Sequence, residues 1–185
     1  SRGVQVYLSL FAKYSRDKSH REWISDHQEV LQGWKSSGFA WALNSLARVN
    51  DGTLFEEVFA RQMVRALGDY EFDGWHGADG WGPMSGSLQE VSFSDDMIDQ
   101  FASMPGIELP EVVTRRCVFD VPKLTARADW ILRHRRAEWS AFYAERWARF
   151  WKTMVAALHG AGRKAVINSA WGRAPFESLY RYGID

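Results

Sequence analysis

The chain has 185 residues, with 23 Lys plus Arg against 23 Asp plus Glu and 15% aromatic residues, ten of them tryptophan. That length supports one substantial core, whether as a whole domain or as a piece of a larger one. Zero net charge removes the electrostatic argument for a nucleic-acid partner, and no run approaches the roughly 20 apolar residues of a membrane span.

Val4 to Ala12, VQVYLSLFA, alternates and is rich in β-branched and aromatic residues, so it predicts a strand. Ser19 with Glu22 offers a capping box, and Trp23, His27, Val30, Leu31 and Trp34 follow at helical spacing up to Gly38. FAWALNSL from Phe39 predicts a second strand. Thr53 with Glu56 repeats the capping pattern, ahead of an apolar stripe of Phe55, Val58, Phe59, Met63 and Leu67 that Gly68 is placed to end. YEFDGWHGA predicts a third strand, shortened by its own glycines.

Residues 81–128 read as a loop-rich insertion, relieved by a short helix over SFSDDMIDQF with Ser94 as its cap and Asp95 and Asp96 in its first turn. A single long helix is expected from Asp129 to about His159. Its early Arg133 to Arg136 suits a helix start poorly, which moves the expected start back toward Asp120 and Pro122. KAVINSAW predicts a fourth strand, and FESLYRYGID a short helix leading into a fifth. Cys117 is the only cysteine, so an internal disulfide and a thiolate metal cluster are excluded while the compartment stays open.

Strands alternating with helices predict an α/β fold with a parallel sheet, either an open doubly wound sheet or part of an eightfold barrel. No GxGxxG follows the first strand and no GxxxxGK[ST] occurs, which argues against a nucleotide site. Polar residues instead gather at predicted strand ends, namely Asn44, His76, Asp79 and Asn168, where a (β/α)8 barrel keeps its chemistry. A whole barrel takes about 250 residues. Residues 1–185 therefore read as the N-terminal part of such a barrel, truncated, whose partner is the remainder of the barrel.

The chemistry concentrates in FDGWHGADGWGP, Phe72 to Pro83. Strand alternation sends His76 to one face and Trp75 to the other, under the helices, and leaves Asp79 in the loop just beyond. A carboxylate there can attack an anomeric carbon or stabilise oxocarbenium charge. It can also simply close an Asp-Gly turn on its own backbone. Trp81 and Trp171 offer flat faces to a sugar ring, and His76, Asn44 and Asn168 offer hydrogen bonds to its hydroxyls. Each of these also has a bland reading as packing or a satisfied polar residue. His76 and Asp79, three apart on a strand and its loop, do not make a metal pair, and neither a metal nor another cofactor is expected. Asp73, at the opposite end of the strand, reads as structural.

FDGWHGADGWG resembles the nucleophile strand of barrel glycoside hydrolases, nearest to the dextranase and cycloisomaltooligosaccharide glucanotransferase family, with the α-amylase and α-galactosidase groups more distant. The resemblance implies that Asp79 is the nucleophile and Trp75 a packing residue. The substrate would be an oligo- or polysaccharide, and the proton donor would come from outside this segment. The alternative is a carbohydrate-binding barrel without turnover.

Overall fold

The computed structural model describes residues 3–9, 22, 25–27, 30–35, 38–77, 91–117, 120–167 and 184–185. Among them the fold is mixed α/β, with a three-stranded parallel sheet, a two-stranded antiparallel sheet and five helices. The chain forms two compact units. The first comprises residues 1–11, 55–85 and 146–185, and the second residues 12–54 and 86–145.

The first unit holds β1 (Tyr7–Ser9), α1 (Phe55–Asp69), β4 (Gly74–Gly77) and β5 (Lys164–Ile167). Its three strands lie in the order β1-β4-β5, all parallel. The predicted apolar stripe of α1 is buried at Phe55, Phe59, Met63 and Leu67. Two expectations at its ends change. Glu56 does not fold back as a capping box; it is buried, and its carboxylate accepts two bonds from Arg146 at 3.0 and 3.1 Å. Gly68 stays inside the helix. The left-handed residue is Glu71 (φ 55), and the Phe72 N–H closes the end on the Leu67 carbonyl.

The second unit contains β2 (Leu31–Trp34) and β3 (Gly38–Leu43), an antiparallel pair. The helix expected through Trp34 is thus corrected. Positions 22, 25 and 26 are helical, but LQGW is a strand. Gly33 is a poor helix residue, and here its N–H donates to Ser92 Oγ (3.1 Å) while its carbonyl accepts from the Phe93 N–H (2.7 Å). The strand at Phe39 is observed, but it belongs to this hairpin rather than to the parallel sheet.

Three helices of the second unit, α2 (Asp95–Ala102), α3 (Glu111–Thr114) and α4 (Val121–His134), replace much of the expected loop. Ser94 occupies the cap position of α2 without a side-chain cap bond. Asp120 caps α4 by accepting from the Lys123 N–H, with proline in the first turn.

The single helix expected from Asp129 to His159 is two. Helix α4 ends at His134, and α5 (Arg136–Gly160) begins beyond Arg135, whose backbone leaves the helical region (φ −138, ψ 27). Of the basic run that suited no helix start, Arg133 and His134 sit in the last turn of α4, where cations complement the dipole, Arg135 is its C-cap and Arg136 opens α5. Glu138, in the first turn of α5, accepts from Arg135 at 3.0 Å. The boundary between the two units falls within α5, between Glu145 and Arg146.

The core of the second unit is aromatic. Trp139 stacks on Phe93 (centroids 5.2 Å) and meets Phe101 edge-on (5.0 Å). Beside it Arg127 is fully buried, donating to the carbonyls of Val113, Phe93 and Arg115 and to Asp95 Oδ1, all at 2.6–2.8 Å. Asp95 also accepts from the Cys117 N–H, so α2, α3 and α4 meet at one guanidinium.

Two outcomes follow for stability. Arg127→Met leaves three carbonyls and a carboxylate without their donor, and should lower unfolding free energy by about 3–5 kcal/mol in urea titrations. Arg127→Lys should recover little of it, because an ammonium cannot reproduce the planar fork. For Glu56, burial raises the carboxyl above its ordinary value, against the pull of Arg146 and Arg149. A folded value above the unfolded one means that this group's contribution is full below about pH 4 and is lost as pH rises through the folded value. Urea titrations from about pH 4 to pH 7 should therefore show a shallower decline for Glu56→Gln than for the parent.

Candidate functional site

Register and alternation sort the sheet of the first unit into two faces. Leu8, Trp75 and Ala165 are paired across the strands and share one face, while Tyr7, Gly74 and Lys164, and then Ser9, His76 and Val166, share the other. Trp75 is fully buried and touches Phe59 of α1 (6.0 Å) and Trp151 of α5 (5.5 Å). Both helices that connect the parallel strands therefore pack on the Trp75 face. The sequence had placed Trp75 under the helices and His76 opposite, and that division is observed.

The opposite face is more open. His76 and Val166 are half-buried, and Ser9 is exposed. One row nearer the strand starts, the face is closed at Gly74, while Lys164 is exposed. A Cβ at Gly74 would run into the Lys164 carbonyl and lie 2.9 Å from Tyr7 Cε1, so only glycine fits beneath the Tyr7 ring. The Tyr7 hydroxyl donates to Gln5 Oε1 at 2.9 Å. Ser9 and His76 thus stand toward the C-terminal ends of the strands, and the exposed Lys164 at the start of β5.

Aspartates fasten the starts of the strands. Asp73 Oδ2 accepts from the Val6 N–H (2.7 Å), and the Asp73 N–H donates to the Val6 carbonyl (2.9 Å). Its structural reading holds. Asp185 repeats the same reciprocal pair on Ala165, both bonds 2.8 Å, along the edge of β5 away from β4. His159 Nε2 lies 2.9 Å from Asp185 Oδ2. Desolvation alone would raise the Asp185 carboxyl, but the bonds from His159 and Ala165 outweigh it and hold the group below its ordinary value.

Of the residues singled out in the sequence, His76 and Asn44 are described; Asp79, Trp81, Asn168 and Trp171 lie outside the described residues. His76 belongs to the first unit and Asn44 to the second. Asn44 is buried. Its Oδ1 accepts from the Leu46 N–H at 3.2 Å, an Asx turn, and its Nδ2 has no partner among the described residues. Ser9 and Tyr7 were not singled out, although the alternation of VQVYLSL already sets them on one face. Among the described residues no group of three or more His, Cys, Asp or Glu could hold a metal ion, and no helix is long and apolar enough to cross a membrane.

Comparison of the chain with family models, with curated proteins and with solved structures finds no match.

Proposed function

We propose that the chain is the N-terminal part of a (β/α)8-barrel glycoside hydrolase or transglycosylase acting on an oligo- or polysaccharide. The observation that carries this reading is the asymmetry of the parallel sheet. Both connecting helices pack on its Trp75 face, and the other face presents His76 and Ser9 toward the strand ends. Parallel strands that neighbour one another in chain order, with their helices on a single face, are the winding unit of a barrel, a unit that one half of a doubly wound sheet shares; the lack of a GxGxxG after the first strand and the polar residues at predicted strand ends favour the barrel. The reciprocal Asp185 pair on β5 matches that of Asp73 on Val6, the residue before β1. A further parallel strand in register there would extend the sheet by the same rule.

In this reading the inner face is the one that carries His76. Asp79, three residues after His76 and beyond the C-terminal end of β4, acts as nucleophile or charge stabiliser at the anomeric carbon. Trp81 and Trp171 supply stacking surfaces, and His76 and Asn168 supply hydrogen bonds to hydroxyls; Asn44, buried in the other unit, is left out of the site. The proton donor comes from a carboxylate outside this segment.

A carbohydrate-binding barrel without turnover is the second reading. What favours it is that the described positions of the open face, Tyr7, Ser9, Gly74, His76, Lys164 and Val166, include no carboxylate.

One experiment separates the two: hydrolysis of a panel of α- and β-linked polysaccharides by the full-length polypeptide, beside Asp79→Asn. The expected outcome is turnover of at least one glycan, falling by about a thousandfold or more in the variant while binding persists. Near-parent rates in the variant would make Asp79 a turn residue. Binding without cleavage by both proteins would establish the second reading.

A further inference from the structure

We propose that Ser9 and His76 form one binding element, gripping two neighbouring hydroxyls of the glycan. The inference rests on the carbohydrate reading above and adds to it a residue on a second strand.

The register makes Ser9 and His76 direct cross-strand partners on β1 and β4, on the face turned away from α1 and α5. Neighbouring strands lie about 4.8 Å apart, so the two side chains rise side by side from adjacent backbones. Neither the Ser9 hydroxyl nor the His76 imidazole has a hydrogen-bond partner among the described residues, although His76 is half-buried. The ring nitrogens of His76 are not among the buried unpartnered polar atoms, so water or a ligand can reach them. Their row is also the last polar one before the strand ends: Tyr7 in the row below is tied to Gln5 and covers Gly74.

The chemistry of the pair selects the ligand. A hydroxyl both donates and accepts, and a neutral imidazole has one nitrogen of each kind. Such a pair matches ligand hydroxyls, which also do both. A phosphate or carboxylate, which only accepts, would use the donors of the pair and leave its acceptors idle. The third member of the row is Val166, an apolar surface suited to the C–H face of a sugar ring. Lys164 stands one row lower, at the start of β5, away from the strand ends.

The test is steady-state kinetics of the full-length polypeptide on a glycan that it cleaves. Ser9→Ala should raise KM about tenfold with kcat changed by less than about threefold, the loss of one hydrogen bond made equally in ground and transition states. Ser9→Thr, which keeps the hydroxyl, should recover most of the affinity. The thermal midpoint of Ser9→Ala should match that of the parent, because the residue is exposed. Combining Ser9→Ala with His76→Gln should raise KM by less than the product of the two single effects, the sign of a shared ligand.

A Ser9→Ala KM within about twofold of the parent, alongside an Asp79→Asn that abolishes turnover, would overturn the inference and leave the glycosidase reading standing. A lowered thermal midpoint with unchanged KM would assign Ser9 to the fold and also overturn it. A parent that neither cleaves nor binds any glycan would remove the carbohydrate reading and this inference together.

Discussion

Trp75 is held between Phe59 and Trp151, and much of the first unit depends on that contact. A fully buried tryptophan removed from such a place costs about 3–5 kcal/mol, a large share of a domain's total stability. The contact also fixes orientation. Strand side chains alternate without exception along β4, so burying Trp75 under the helices obliges His76 to face away from them. A slip of one residue would bury the imidazole among rings and expose the indole. Packing energy on one side of the sheet thus sets polar chemistry on the other.

The second unit obeys a different constraint. Two stretches of chain, residues 12–54 and 86–145, which follow β1 and β4 in sequence, fold with one another. Gly33 on the first stretch bonds Ser92 and Phe93 on the second; Arg48 on the first pairs with Asp96 on the second at 2.7 Å, and Lys35 pairs with Asp129. Both stretches thus need each other to complete a core, which explains their length.

The sequence was most legible where one periodicity acted alone. The stripe of α1, the alternation around Trp75 and the start of α4 at Asp120 and Pro122 all follow local rules, and the structure keeps them. It was least legible where a tertiary partner overrode the pattern. The stripe from Trp23 to Trp34 looks helical until Ser92 and Phe93 claim the backbone of Gly33, a contact spanning about sixty residues that no local window contains. Glu56 fits a capping box by spacing, yet Arg146, ninety residues away, takes its carboxylate. The break at Arg135 was half visible. The misfit of a basic run at a helix start was seen, but the remedy was a second helix rather than only an earlier beginning. Of the candidate site, the facing of His76 was legible from alternation, and Ser9 needed the register of β1 on β4.

The carboxylates of the first unit narrow where its acid chemistry can reside. Asp73 and Asp185 are bonded to backbone at strand edges. Glu56 is buried against Arg146, and Glu57 pairs with Arg149. Asp69 pairs with Arg65 on the surface of α1, and Glu71 sits in the turn that enters β4 from the opposite end to His76. Each described acid is therefore either engaged in holding the fold or placed at the N-terminal side of the sheet. A group already bonded to amides or a guanidinium is a weak nucleophile, since those bonds stabilise the charge that attack would have to surrender. Within this unit the sequence offers two further acids, Asp79 and Glu177. Asp79 alone follows a parallel strand directly, past a face whose helices are on the other side. Its candidacy thus rests on what the other carboxylates are doing as well as on its own position.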